Sequence, residues 1–240
     1  MIRAVTLDFW NTLMDDYDLT RREAVRALRL REIVAPYGYK PGDEAMAKAF
    51  RQSWRNFDRV WYDETRTPTA AESAAVLVRA LRMKLPPEAV TQIVDLLEEI
   101  VLECPPRPVT GVPETLPELA ERYALAIVCD AGFSPGRVLR RVLARYGLDR
   151  HISAFFFSDE HGVSKPDPRA FQTPLAELGV PPEQAVHVGD IQRTDIAGAH
   201  GAGLQAIHFV GVNSSDLPVS SAEAVVARFA ELPRAIASLV

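Results

Sequence analysis

AVTLDFWNT, residues 4–12, is the stretch that decides the fold of this chain. Its first four residues make a short, mostly apolar run, and Asp8 stands where the run stops. Such runs are typical of strands in a parallel sheet that is covered on both faces. Because ligands bind at the carboxyl ends of these strands, we expect Asp8 to lie in a functional cleft.

Four similar runs follow later in the chain, and helical patterns separate them. The runs are residues 123–130, 152–159, 185–190 and 204–210. Short apolar strands that alternate with helices predict an α/β fold with a Rossmann-like, doubly wound parallel sheet. The carboxyl ends of such strands gather at one edge, so polar residues that are far apart in the sequence are predicted to meet there.

The long stretch between the first run and the second differs in pattern, because nothing in it alternates like a strand. It indicates four helices, and Thr20 and Thr69 each stand three residues before a glutamate, as in a capping box. We therefore predict a core domain made of residues 1–14 and 107–240. An all-α domain is predicted as an insertion at residues 15–106.

The composition is that of an ordinary globular protein, with 48% hydrophobic and 25% charged residues among 240. The net charge of −5 argues against a nucleic-acid partner, since phosphate backbones attract clustered positive charge. Cys104 and Cys129 make no disulfide framework, which favours a cytoplasmic location. We find no signal-peptide pattern and no apolar segment long enough to cross a membrane, and the oligomeric state stays open.

Acidic residues and a lysine are predicted to meet at the edge of the sheet. Asp8 and Asp190 end two of the runs, and Asp195 and Lys165 lie just beyond strand ends. Three neighbouring carboxylates repel one another, and Mg²⁺, which prefers carboxylate, water and phosphate oxygens, would relieve that repulsion. An aspartate can form an aspartyl-phosphate and a lysine can neutralise a phosphoryl group, so this set favours phosphoryl transfer on a small phosphorylated substrate.

The order of these residues resembles the haloacid dehalogenase (HAD) superfamily. The first motif of the superfamily, D-x-D-x-T after a strand, corresponds to residues 8–12, DFWNT. The place of the second motif, a Ser or Thr at the next strand end, holds Cys129, and SKPDPRAF supplies the motif lysine, Lys165. The acidic fourth motif corresponds to Asp190 and Asp195 in GDIQRTD, and the helical insertion corresponds to a C1-type cap.

The resemblance implies a role for each matched residue. It makes Asp8 the nucleophile and a Mg²⁺ ligand, with the main-chain carbonyl of Trp10 and the carboxylate of Asp190 as further ligands. It makes Asp195 a support for the metal site or for Lys165, and it gives Lys165 the task of stabilising the phosphoryl group and the nucleophile. The implied activity is that of a Mg²⁺-dependent phosphohydrolase.

Two positions depart from the phosphatase pattern. Trp10 stands where the superfamily has an aspartate that protonates the leaving oxygen and then activates water against the aspartyl-phosphate, and an indole provides no useful acid or base for either step. General acid catalysis contributes about 10²- to 10⁴-fold, so we expect weak activity or a restriction to good leaving groups, such as acyl and activated aryl phosphates. We expect Trp10, Thr12 and Asp130 to contact the substrate. Cys129, whose thiol is a weaker hydrogen-bond donor than a Ser hydroxyl, either contacts the substrate as well or fills a buried strand end.

Other interpretations stay open. Asp15, Asp16 or Asp18 could supply the missing acid when the cap closes. An aromatic residue at position 10 also resembles the 2-haloacid dehalogenases, because halide needs no proton, although those enzymes use no metal and replace the first acid of GDIQRTD. Phosphonoacetaldehyde cleavage would need a cap lysine that forms a Schiff base with the substrate, and the sequence around the cap lysines does not mark any of them for this role. A chain without the acid could also be a pseudo-enzyme that binds a phosphorylated ligand or a protein.

Overall fold

A computed structural model, which describes residues 1–239, has a six-stranded parallel sheet at its centre. The strands of the chain are β1 (Ala4–Leu7), β2 (Met14–Asp15), β3 (Arg107–Pro108), β4 (Ala124–Cys129), β5 (Ala154–Phe157), β6 (Ala185–Gly189), β7 (Gln205–Phe209) and β8 (Ala224–Val226). The spatial order in the central sheet is β5-β4-β1-β6-β7-β8, and β2 pairs with β3 in a separate ribbon. The strands predicted from the five apolar runs are all present in this sheet.

The helices lie between these strands and after the last of them. They are α1 (Leu19–Val34), α2 (Asp43–Asp63), α3 (Ala70–Ala80), α4 (Pro87–Glu103), α5 (Val112–Ala120), α6 (Gly136–Arg145), α7 (Ser158–His161), α8 (Arg169–Leu178), α9 (Ala197–Gly201) and α10 (Leu232–Ala237). Within residues 1–239, none of these helices has both the length and the apolar character that a membrane span requires.

Alternate residues of β1 explain how helices come to cover both faces of the sheet. Val5 and Leu7 belong to the larger apolar cluster, together with residues of α5, α6 and α10. Ala4 belongs to a second cluster that includes residues of α8 and α9. Because successive side chains of a strand point to opposite faces, each face carries its own helical layer. The α/β, Rossmann-like, doubly wound fold predicted from the sequence is confirmed.

The register of β1 determines where its carboxyl end lies. Leu7 is in register with Ile127 on β4 and with Val188 on β6. Asp8, the next residue, therefore lies between the carboxyl ends of two neighbouring strands, at the edge where the sequence predicts a cleft.

The four helices α1 to α4 occupy the stretch between β2 and β3, and we call residues 19–103 the helical insertion. Asp15 pairs with Arg107 in the antiparallel ribbon, so the chain leaves the sheet and returns to it at one place. The helices share a third apolar cluster, which includes Leu30 and Leu77. The division of the chain into a core domain and an inserted domain at residues 15 and 106 stays a prediction.

Two local predictions have opposite outcomes. The capping box at Thr69 is confirmed, because the Thr69 hydroxyl accepts from the Glu72 N–H and the Glu72 carboxylate accepts from the Thr69 N–H. The box predicted at Thr20 is wrong, because α1 begins at Leu19 and no side-chain cap is made at its start. The short edge strand β8 was not predicted, since its apolar run has only three residues, of which Val225 is exposed.

Candidate active site

Asp8 is held at the floor of a cavity by the turn that follows β1. Its backbone N–H donates to a carbonyl of β6 at 2.9 Å, and the residue is 5% exposed. Asn11 then adopts a left-handed backbone with φ 58°, which Asn tolerates better than most residues. The Asn11 N–H donates to the Met14 carbonyl, and the Met14 N–H donates to the Phe9 carbonyl, both at 2.8 Å. These two hydrogen bonds close the turn without using the carbonyl of Trp10.

Lys165 bridges two buried carboxylates. Its Nζ donates to Asp8 Oδ1 at 2.5 Å and to Asp195 Oδ1 at 2.6 Å. Charge-assisted hydrogen bonds are stronger than neutral ones, so the lysine fixes the position of both acids. The backbone N–H of Lys165 also donates to Asp130 Oδ1 at 2.9 Å, which ties the lysine loop to the end of β4.

Both oxygens of Asp195 are already engaged. Oδ1 accepts from Lys165 and lies 3.2 Å from Nε2 of His187, while Oδ2 accepts from the Ile191 N–H at 2.9 Å. A Cβ at Gly189 would meet the carboxyl carbon of Asp195 at 2.4 Å, so a glycine is needed where the two residues pack. In this arrangement, Asp195 and Asp8 together hold the ammonium group of Lys165.

Asp190 is held by two amides. Its Oδ2 accepts from Nδ2 of Asn213 at 2.8 Å and from Nδ2 of Asn11 at 3.3 Å. Ligand atoms of Asp8, Asp190 and Asp195 lie within 4.8 Å of one another. The hydrogen bonds to Asp8 and to Asp190 use one oxygen of each, which leaves the other for a cation. Hard oxygen donors in this arrangement fit Mg²⁺.

The electrostatics of this acidic cluster favour a further positive charge. Burial raises the pKa of Asp8 well above its usual value despite the opposing charge of Lys165, and Asp195 and Asp190 add to the increase. Burial and then the charge of Asp195 raise the pKa of Asp190 to about 6. Burial lowers the pKa of Lys165, but the negative charges of Asp195 and Asp8 have the larger effect and raise this pKa well above its usual value. A bound divalent cation would favour the ionised form of both Asp8 and Asp190.

The structure places the four predicted substrate-binding residues in two groups. Trp10 and Asp130 line the cavity above the acidic cluster. Cys129 is fully buried in the main apolar cluster, and burial raises the pKa of its thiol well above the usual value. Thr12 is also fully buried, and its hydroxyl has no hydrogen-bond partner among the described residues. Neither Cys129 nor Thr12 is part of the cavity wall, so their contact with a substrate stays a prediction.

The cavity has a volume of about 240 Å³ and is lined from both the sheet edge and the helical insertion. Its aromatic wall consists of Trp10, Trp54, Phe57, Trp61 and Phe133. Trp61 on α2 also donates from Nε1 to Asp130 Oδ2 at 2.8 Å, which links the helical insertion to the end of β4. A substrate over Asp8 would therefore lie against a mostly apolar surface that the insertion contributes.

The structure also locates the three acids considered as substitutes for the missing general acid. Asp16 lines the cavity, and Arg22 donates to its carboxylate at 2.5 Å. Asp15 pairs with Arg107 at 3.2 Å, and neither Asp15 nor Asp18 forms part of the cavity wall. In this conformation Asp16 serves as the acceptor in a pair with Arg22.

The family follows from a match across most of the chain. Residues 2–203 match the haloacid dehalogenase-like hydrolase family. The chain belongs to this family. It is a HAD-like hydrolase, and the resemblance inferred from the order of the four motifs is confirmed.

Curated relatives of this HAD-like hydrolase include several phosphatases. A stretch of 97 residues is 40% identical to the phosphoserine phosphatase of Thermus thermophilus and covers 40% of this chain and 39% of that protein. Another of 118 residues is 35% identical to the ribulose-1,5-bisphosphate 5-phosphatase of Halopiger xanaduensis and covers 49% and 48% of the two chains. The chain thus spans less than half the length of these curated relatives.

Solved structures match the HAD-like hydrolase over its whole length. The 2-haloacid dehalogenase of Pseudomonas syringae pv. Tomato DC3000 is 25% identical, with a TM-score of 0.71 and 99% of both chains covered. The HAD-hydrolase YfnB of Bacillus subtilis, solved bound to magnesium, is 19% identical, with a TM-score of 0.68 and 99% of both chains covered. At that identity, the second comparison shows a common fold alone.

Sequence reasoning missed several residues of the HAD site. Asn11 and Asn213 hold one acid of the cluster, Asp190, and neither was assigned a role from the sequence. Arg22 and Arg26 of α1 line the cavity. The place of Asn11 inside the first motif was a usable signal, and the four-residue spacing of the two arginines put them on one helix face. No motif marks Asn213, which follows β7.

Replacement of Lys165 tests the bridge that holds the HAD site together. We expect Lys165→Met to lower the free energy of unfolding by about 3–5 kcal/mol, because Asp8 and Asp195 lose the cation they share inside the protein. Urea denaturation in EDTA measures the change. Lys48→Met, on an exposed position of α2, is the control and should stay within about 0.5 kcal/mol of the unmodified protein. A loss at Lys165 as small as at Lys48 would contradict the expectation.

Proposed function

We propose that this chain is a Mg²⁺-dependent phosphohydrolase that acts on a small phosphorylated substrate through an aspartyl-phosphate at Asp8. The observation that carries the proposal is the position of Lys165 Nζ, 2.5 Å from Asp8 and 2.6 Å from Asp195 at the floor of a cavity. A nucleophilic carboxylate, a buried lysine and hard oxygen donors suit the charge of a phosphoryl group. The phosphatases among the relatives support the same reaction class.

Two displacements at phosphorus make up the proposed reaction. In the first, an oxygen of Asp8 bonds to phosphorus and the ester P–O bond breaks, with its electron pair passing to the leaving oxygen. Lys165, already bonded to Asp8 Oδ1, holds the nucleophile and offsets the charge of the arriving phosphoryl group. In the second, water attacks phosphorus, the bond to Asp8 breaks with its electron pair returning to the carboxylate, and inorganic phosphate leaves while a proton of the water passes to solvent. Asp195 keeps Lys165 in position throughout.

Asp8, Asp190 and the carbonyl of Trp10 are the groups that we assign to Mg²⁺. When bound, the ion would neutralise charge on the phosphoryl oxygens. We assign Asp195 to the lysine rather than to the metal, because both of its oxygens already accept hydrogen bonds. The raised pKa of Asp190, about 6, supports the need for a cation beside it.

Trp10 sets the expected range of substrates. Its indole is part of the cavity wall that Asp8 also lines, and the indole N–H is too weak an acid to protonate a leaving alkoxide. The pair between Asp16 and Arg22 leaves that acid as an acceptor. The substrates that fit best are therefore those whose leaving oxygen departs without a proton, such as acyl phosphates and activated aryl phosphates.

A substrate panel tests this function. We expect acetyl phosphate and 4-nitrophenyl phosphate to be hydrolysed about 10²- to 10⁴-fold faster than glycerol 3-phosphate, since only the alkyl ester needs the missing acid. EDTA should abolish all three activities, and Mg²⁺ should restore them. Release of inorganic phosphate is the measurement. Equal rates for the alkyl and acyl substrates would overturn the leaving-group restriction, and full activity in EDTA would overturn the role of the metal.

Carbon–halogen hydrolysis is the second candidate. An aromatic residue at position 10 and the full-length likeness to a 2-haloacid dehalogenase at 25% identity favour it. Asp190 argues against it, because two amides hold this extra carboxylate in the cluster, where a metal-free dehalogenase has no use for it. Halide release from 2-chloropropionate that is undiminished by EDTA, without phosphate release from the panel, would favour this candidate instead.

A further inference from the structure

Arg26 on α1 is a buried cation that the proposed reaction does not use. The residue is 4% exposed, and it forms part of the cavity wall. Its guanidinium carbon lies 5.3 Å from the ring centre of Phe133 and 5.8 Å from that of Phe50. The two rings attract the cation through their faces, but they provide no hydrogen-bond acceptor for the N–H groups of the guanidinium.

The guanidinium of Arg26 lacks the hydrogen bonds that its neighbour makes. Among the described residues, Nε and Nη1 of Arg26 are buried without a partner. Arg22, one helical turn earlier, donates from Nε to the Cys104 carbonyl at 2.9 Å and from Nη1 to Asp16 at 2.5 Å. Burial lowers the pKa of Arg26 to about 10, so the group is still charged at neutral pH. A buried charge without an acceptor is costly, which calls for a ligand to supply one.

The charges around the cavity differ between its two sides. The sheet edge contributes the acidic cluster and Lys165, where the phosphoryl group and its metal would bind. The helical insertion contributes two guanidinium groups, Arg22 and Arg26, and Asp16 lies against the first of them. Two cations and one carboxylate leave one net positive charge on that side. Apolar side chains, among them Leu19 and Phe57, line the space as well.

We propose that Arg26 binds a carboxylate of the substrate, so that the substrate is a small molecule with a phosphoryl group at one end and a carboxylate at the other. The identity of the phosphoryl end rests on the proposed function, whereas the carboxylate site does not. One net positive charge matches a carboxylate monoanion better than a second phosphate dianion. The planar guanidinium also matches the two oxygens of a carboxylate.

Equilibrium binding of unreactive phosphonates tests the whole substrate class. The probes are phosphonoacetate, 3-phosphonopropionate and 4-phosphonobutyrate, each compared by calorimetry in Mg²⁺ with the alkylphosphonate in which a methyl group replaces the carboxylate. We expect one length to bind the wild-type chain about 10- to 100-fold tighter than its methyl partner. In Arg26→Gln this preference should fall below about twofold, while Arg79→Gln, at an exposed position of α3, keeps it. A preference that survives in Arg26→Gln would overturn the proposal.

A second arm separates the carboxylate site from the phosphatase proposal. Butyrate and benzoate, compared with their amides, should raise the urea midpoint of the wild-type chain and of Arg79→Gln but not that of Arg26→Gln. If no phosphonate binds but these carboxylates act through Arg26, the proposed function fails and the carboxylate site stands. If phosphonates bind with no gain from a carboxylate at any length, the carboxylate site fails and the phosphatase stands.

Stability distinguishes a ligand-binding arginine from a structural one. Because Arg26 is buried without an acceptor, Arg26→Met without any anion should have a urea midpoint equal to or above that of the wild-type chain. A structural role would predict a clear drop. A drop as large as that of Arg22→Met, which removes two hydrogen bonds, would overturn the proposal.

Discussion

We expect Asp8→Asn to lower the rate of phosphate release at least about 10³-fold, because an amide cannot serve as the nucleophile. The substitution preserves the size of the side chain and leaves an oxygen that can still accept from Lys165. Stopped assays with acetyl phosphate and Mg²⁺ measure the rate. Acid quenching during turnover of ³²P-labelled substrate should trap labelled protein in the wild-type chain and none in Asp8→Asn.

Asp58→Asn provides the matched control for this substitution, since Asp58 is exposed on α2 and lies outside the cavity wall. We expect it to keep the wild-type rate. Urea denaturation should find Asp8→Asn folded, so that lost activity reports chemistry rather than unfolding. Phosphate release by Asp8→Asn at the wild-type rate would mean that Asp8 is not the nucleophile. No phosphate release by the wild-type chain on any substrate would favour a pseudo-enzyme that binds its ligand unchanged.

The fold was predictable because its strands carry their own signal. A strand buried on both faces is mostly apolar, and β1, β4 and β6 show that pattern within 4 to 6 residues, with Thr6 and His187 as their polar members. The edge strand β8 was not predicted because it has only three residues, too few to distinguish a strand from a chance apolar run. The capping box at Thr20 failed because pattern alone cannot tell which turn of an amphipathic stretch begins the helix.

The acidic cluster was predictable to a similar degree. Topology alone brings residues after β1 and β6 to one edge, so Asp8 and Asp190 had to come close together. Asn213 was not predictable, because its contact with Asp190 depends on the path of an irregular loop. The cavity wall from α1 was not predictable either, since the docking of the insertion on the sheet edge decides whether Arg26 faces a substrate or solvent.

Restoring the missing acid is the second large effect that we expect. Trp10→Asp should raise kcat/KM for glycerol 3-phosphate by about 10²- to 10⁴-fold, because a carboxylic acid at this place can protonate the leaving oxygen. The same substitution should change kcat/KM for acetyl phosphate by less than about tenfold, since kcat/KM reports only the first displacement and that leaving group needs no proton. The ratio of the two rates is the measurement, and it cancels errors in the active fraction of each preparation.

Trp10→Asn distinguishes two effects of Trp10→Asp, the gain of a proton donor and the loss of the bulky indole, because Asn removes the indole without supplying an acid. The Trp10 ring lies edge-on to Phe9 at 4.9 Å and helps to line the cavity, so its removal alone makes room for a bulkier substrate. If Trp10→Asn raises alkyl phosphate hydrolysis as much as Trp10→Asp, the indole acts as a steric wall and the acid is irrelevant. If neither variant gains activity, the chain is not limited by proton transfer. A gain confined to Trp10→Asp would mean that Asp8, Lys165 and Asp190 form a working phosphatase site in which one side chain sets which leaving groups can depart.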